Sequence, residues 1–177
     1  MSAERSNEPD AETSAFLWEV HRYTNEYIRF ADTKAAFIAG ASMALIGALV
    51  ASSSLDSSFE ITPSLWSKVQ WLAALGLVLL VAALILSIFA IRPRLRKHST
   101  AGFIYWGSIA GHGSATQYTE QVRALSARGR ALAVSDHLFI LATIAERKYA
   151  YVDRAMILGV IGGVFAGLAL LVQHATR

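Results

Sequence analysis

Tyr27-Ile-Arg-Phe-Ala-Asp-Thr-Lys34 runs straight into Ala35-Ala-Phe-Ile-Ala-Gly-Ala-Ser-Met-Ala-Leu-Ile-Gly-Ala-Leu-Val50. No proline separates the two halves, and after Lys34 the next charge is Asp56. That uncharged interval is long enough for the about 20 residues a membrane-spanning helix needs. Upstream, Phe16, Leu17, Val20, Tyr23, Tyr27, Phe30 and Ala31 fall at helical spacing on one apolar face. A polar amphipathic helix from about Ser14 is therefore expected to feed directly into a first span.

Composition agrees with lipid as part of the solvent. Of the 177 residues, 54% are hydrophobic and 16% charged, against about 25% charged in a soluble domain; the mean hydropathy is +0.42. The absence of cysteine excludes disulfides, thiolate catalysis and cysteine metal sites. The net charge of +3 is small but clustered: ten of the sixteen Lys and Arg residues lie between Arg92 and Arg154, with only four of the thirteen acids. The clustering orients the chain in a bilayer rather than indicating a nucleic-acid partner.

Read outward from the opening stretch, the chain is expected to be an all-α integral membrane protein with three transmembrane helices and a cytoplasmic helical bundle. Residues 1–13 read as a disordered tail and 14–34 as a cytoplasmic amphipathic helix. Residues 35–52 form span one and 53–68 an external loop with Trp66 near the interface. Residues 69–91 form span two, ended by Arg92, Pro93, Arg94, Arg96 and Lys97. That basic stop places its carboxyl end, and the amino terminus, in the cytoplasm. Residues 92–154 make a basic cytoplasmic helical region, 155–172 span three and 173–177 an external tail. Within 92–154 a loop or short surface helix is expected before about Ala115. A helix then follows, with Tyr118, Val122, Leu125, Leu132, Phe139 and Ile140 on its apolar face and a bend near Gly129. The apolar run His137–Ala145 is too short to span and reads as a buried part of that helix, the alternative being a hairpin of two short spans.

Two small-residue series stand out. Ala36, Gly40, Ala44 and Ala48 recur at every fourth position, and Gly159, Gly163 and Gly167 do the same with Gly162 beside them. Such series let helix backbones approach closely in lipid, within a chain or between chains; they are also tolerated there without close contact.

Catalytic chemistry is sparse. His21, His98, His112, His137 and His174 have no metal-ligand spacing, and His112 between two glycines reads as a loop residue. Gly107, Gly111 and Gly113 lack the strand and the Gly-Lys-Ser/Thr ending of a phosphate loop. No span carries a charge at its centre, as transporters usually do. No enzyme, cofactor or metal is expected. Arg123, Arg128 and Arg130 form either a solvated face or a set of phosphate donors. Tyr105 and Trp106 either anchor at the interface or stack on a base. Asp32 and Lys34 mark the membrane boundary, where Lys34 can snorkel and Asp32 can pair with Arg29 along the helix.

Asn25-Glu-Tyr-Ile-Arg-Phe-Ala-Asp-Thr-Lys-Ala35 followed by a small-residue span resembles the start of the transmembrane effectors of Pycsar antiphage systems. Phe103-Ile-Tyr-Trp-Gly-Ser-Ile109, then Gln117-Tyr118 and a helix ending near Lys148-Tyr149, resemble that family's later segments. The resemblance implies a bacterial inner-membrane effector. A partner uridylate or cytidylate cyclase would make a cyclic pyrimidine mononucleotide, cUMP or cCMP. The effector would respond by impairing the membrane, an abortive infection. Because no cyclic-nucleotide-binding β-barrel is recognisable, the sensor would be the helical cytoplasmic part. Tyr105, Trp106, Arg123, Arg128 and Arg130 are then the candidate ligand-binding residues, Asp32 and Lys34 the coupling residues, and Gly40, Gly159, Gly163 and Gly167 the helix-packing residues of a homo-oligomer. A membrane scaffold that docks a protein through its cytoplasmic helices, or a small channel or transporter, are the other readings.

Overall fold

The computed structural model describes residues 11–52, 68–92 and 102–175. Among them are five helices and no strand: α1 (Ala11–Ala51), α2 (Lys68–Ile91), α3 (Trp106–Ile109), α4 (Ala115–Ala124) and α5 (Ala127–Ala175). Helices α1, α2 and α5 are each long and apolar enough to cross a membrane. The expected continuity of the amphipathic helix with span one holds: α1 is a single 41-residue helix. It begins at Ala11, inside the segment expected as tail, with Glu12 in a first turn whose dipole favours an acid. The remainder of that tail, Trp66 and nearly all of the external loop, and the basic run after Arg92 lie outside the described residues.

The chain forms two compact units, and α1 and α5 supply residues to both. One comprises described residues up to 29 and from 102 to 146; the other comprises those from 30 to 92 and from 147 onward.

In the second unit the three long helices meet along seams of small and branched residues. On α2 the buried positions are Ala73, Gly76, Leu80, Ala83, Ser87 and Ala90, in alternating steps of three and four. On α1 they are Ala31, Ala35, Ser42 and Leu49, with Ile38 and Leu45 packed alongside. On α5 they are Val152, Ala155, Gly162, Ala166 and Ala169. Steps of three and four average 3.5, the period of left-handed coiled-coil packing, which keeps one face turned to its neighbours.

Among the glycines of the three long helices, the tightest contacts lie between α2 and α5. A Cβ built on Gly76 would lie 2.9 Å from the Ala166 backbone nitrogen and 3.2 Å from the Gly162 oxygen. One on Gly162 would lie 3.0 Å from the Leu80 backbone nitrogen. Backbone rests on backbone here, so neither glycine has room for a side chain.

The predicted packing series behave differently within the chain. Ala36, Gly40, Ala44 and Ala48 are exposed, and a Cβ on Gly40 or Gly167 meets nothing within 4 Å. Gly159 and Gly163 face Ile38 and Leu45 side chains of α1 at 3.6 and 3.3 Å, not backbone. The reason is phase. The α1 seam runs through Ala31, Ala35, Ser42 and Leu49, which turns the every-fourth-residue stripe outward.

In the first unit, Ser114 caps α4 by accepting from the Gln117 backbone, and Gln117 Oε1 accepts in return from Gly113 N–H at 2.9 Å. This near-reciprocal pair is a capping box in all but one position. Before it, Phe103 stacks on His112, His112 meets Tyr118 edge-on, and the Tyr118 hydroxyl donates to the Phe103 carbonyl at 2.9 Å. The glycine-rich segment is thus a folded turn around a ring cluster, with His112 a loop residue inside it.

The helix expected to run from Ala115 is broken at Leu125–Ser126, not bent at Gly129. Leu125 is extended (ψ 129°). Ser126 Oγ accepts from Gly129 N–H at 3.1 Å, the bond of a helix N-cap. The expected apolar face divides there. Tyr118, Val122 and Leu125 are half-buried, whereas Leu132 and Phe139 are exposed and Val134 is the buried residue. The run 137–145 is mostly half-buried within the unbroken α5, so it forms no hairpin. On α1 the expected face also splits: Leu17 and Val20 are half-buried and Ala31 is buried, while Phe16, Tyr23, Tyr27 and Phe30 are exposed.

Candidate functional site

Asp32 stands one residue after buried Ala31 and three before buried Ala35, so it is held against the helix seam. Lys148 stands four residues before buried Val152 on α5, one helical turn away on the same face. Their side chains form an ion pair across the two helices. The same ammonium donates to the Ala90 carbonyl at 2.9 Å. Ala90 lies in the last turn of α2, where carbonyls have no intrahelical partner and a cation is favourable. One lysine therefore satisfies a carboxylate on α1 and a helix terminus on α2 from a position on α5. Its side chain is only 14% exposed, against 39% for Asp32, so the pair is partly shielded from water, and removing one partner leaves the other charge poorly solvated.

The sequence marked Asp32 as a boundary residue and quoted Lys148 in a separate block. Nothing local joined them, since Lys148 lies 116 positions further along the chain. Lys34 sits beside this pair. Its ammonium lies 4.5 Å from the Phe30 ring centroid and 5.8 Å from that of Tyr149. Phe30 is one turn toward the amino end, so the side chain folds back along α1 as a snorkelling lysine does.

The other predicted residues lie in the first unit. Tyr105 and Trp106 pack ring against ring at 5.3 Å, with Trp106 62% exposed. Arg123 and Arg128 are exposed. Arg130 donates to the Leu125 carbonyl at 2.8 Å, closing the end of α4. Among the described residues no hydrogen bond or ring contact joins the aromatic pair to these arginines. The structure thus places the five residues in one unit.

Two histidines that are distant in sequence do come together. The His21 and His137 rings, on α1 and α5, lie 5.4 Å apart, with Trp18 edge-on to His21. Burial, and then the charge of His21, hold His137 below the ordinary imidazole range. Helical phase was the available signal. Both histidines continue the half-buried seam of their helices.

Among the described residues no group of three or more His, Asp or Glu side chains is placed to hold a metal ion. Residues 16–173 match the family model described as "Pycsar effector protein domain". The Pycsar effector protein SaPycTM of Staphylococcus aureus is 26% identical over 140 residues, which cover 79% of this chain and 83% of that protein. No solved structure matches the chain.

Proposed function

Since the chain belongs to the Pycsar effector protein family, we propose that it is an antiphage effector of the bacterial inner membrane, switched by a cyclic pyrimidine mononucleotide. The observation that carries this reading is the extent of the match, which takes in all three membrane-capable helices and the arginine-bearing region. A partner uridylate or cytidylate cyclase supplies cUMP or cCMP. The nucleotide binds the first unit between copies of the chain. Arg123, Arg128 and Arg130 meet its phosphate, and exposed Trp106 with Tyr105 stacks on its base. Neutralising the arginines removes their repulsion and favours one arrangement of the copies. Helices α1 and α5 carry that change to the Asp32–Lys148–Ala90 junction, and the spans repack until the membrane leaks. No bond is made or broken by this chain, and the amino terminus is cytoplasmic.

Calorimetric titration of the folded, detergent-solubilised protein with cUMP and cCMP tests the sensor step. Heat with one of them is expected, and no heat with either overturns direct sensing. Asp32→Ala is expected to leave insertion intact while reducing nucleotide-dependent leakage of dye from vesicles. A second reading, a scaffold for a protein partner, is favoured by Phe139 and Leu132, which are 74% and 54% exposed on α5. It predicts capture of a partner with no nucleotide-dependent leakage.

A further inference from the structure

Beside Lys34 the α1 and α5 helices part into an apolar groove of about 560 Å³, floored by Leu80 of α2. It exists because the residues that would fill it are small. Ala41 and Ser42 line it from α1 and Gly159 from α5, with Phe37 and Met156 as walls. Lys34 carries the one charge among the described lining residues. Lys34 lines the groove, and its ammonium lies over the ring of Phe30, one turn toward the amino end of α1. The nearest acid along α1, Asp32, is already held by Lys148. The same end of this unit also bears exposed Arg92, Arg147 and Arg154 against exposed Asp153, so its charge is net positive. A long apolar channel with a cation at one mouth is complementary to an amphiphile with an anionic head.

We propose that this groove is a binding site for an anionic phospholipid. Its acyl chain runs along Phe37, Ala41 and Met156, and its phosphate is held at the Lys34 ammonium. A bilayer fills any lipid-facing groove with some hydrocarbon. The site differs in selecting the headgroup and in retaining the lipid when the bulk membrane is removed. An occupied groove would wedge α1 from α5 beside the Asp32–Lys148 pair. The proposal concerns lipid alone and does not rest on nucleotide sensing.

The test is native mass spectrometry of the full chain, released from nanodiscs of equal phosphatidylglycerol and phosphatidylethanolamine. Wild-type protein is expected to retain phosphatidylglycerol preferentially. Lys34→Gln should lower that preference about fivefold, the effect of one lysine at an anionic surface, and Lys34→Arg should keep it. Gly159→Leu should reduce retention of both lipids by filling the groove. The first atom it adds makes only ordinary contacts, 3.6 Å from Ile38 and 3.7 Å from Ala83. Ala41→Phe fills the groove from the other wall and gives the same reading if the glycine variant fails to fold. Equal retention of the two lipids by wild-type protein, or a preference that survives Lys34→Gln, overturns the headgroup assignment. Undiminished retention in the groove-filling variants overturns the groove.

Discussion

The α2–α5 seam and the α1–α5 seam lie in the same unit and share α5, yet they are built differently. Between α2 and α5, Gly76 and Gly162 bring backbone against backbone, with 2.9 Å left for an added carbon. Between α1 and α5, glycines face the ends of Ile38 and Leu45, and a groove remains open. A backbone contact can only separate, whereas a side-chain contact can change rotamer and re-form. The α2–α5 seam therefore has less room to adjust than the α1–α5 seam. The small-residue stripe of α1 is left exposed.

The largest expected effect lies at the rigid seam. Gly76→Leu should abolish the folded three-helix unit, since overpacking costs about 1–3 kcal/mol even where neighbours can yield and here they are backbone. Yield of monodisperse protein and its thermal unfolding midpoint are the measurements. A variant as stable as wild type would erase the distinction between the seams.

Next comes the junction that ties α1 to both partners. Lys148→Met strands the Asp32 carboxylate and the Ala90 carbonyl. With Asp32 partly exposed, a loss of about 1–2 kcal/mol is expected. A double-mutant cycle with Asp32→Asn should recover part of it. Additive losses would show that the two side chains act separately.

In the other unit α1 meets α5 through the His21–His137 rings, and acidity probes that contact. The His137 pKa is lowered on folding, so the folded chain binds the proton less readily than the unfolded one. Stability is full above the ordinary histidine value of about 6.5 and is lost as pH falls toward the lower, folded value. The unfolding midpoint should therefore drop between pH 7.5 and 5.5, and His137→Phe should flatten that part of the profile. The smallest effects belong to the open glycines. Gly167→Ala and Gly40→Ala meet no atom and gain up to about 1 kcal/mol of helix propensity, so neutral or slightly raised stability is expected. A marked loss of nucleotide-dependent leakage with unchanged stability would place these positions between copies.

The spans were legible because their signals are local. An uncharged run of sufficient length and the absence of proline before Lys34 are readable in a single window, and α1 follows from them. The break before α5 was legible in principle. Ser126 is a favoured N-cap residue, although Ser126-Ala-Arg-Gly129 lacks the Glu or Gln that completes a capping box. The choice of glycine was harder. Gly159, Gly163 and Gly167 form the conspicuous series, while Gly76 is a lone glycine in α2. Only the alternating steps Ala73, Gly76, Leu80, Ala83, Ser87 and Ala90 show that it lies on a buried face. The Asp32–Lys148 pair had no local signal, because it depends on which helix packs beside which.

That pair also orders events during synthesis. Lys148 follows Asp32 by 116 residues, which at about 5–20 residues per second is on the order of ten seconds of translation. Within that interval α1 is completed and α2 is made, and until Lys148 follows, the Asp32 carboxylate and the last turn of α2 must rely on water. The first two spans therefore cannot close into their final arrangement until the third is delivered. A chain truncated before residue 148 should remain an open hairpin in the bilayer, vulnerable to the proteases that clear unfinished membrane proteins.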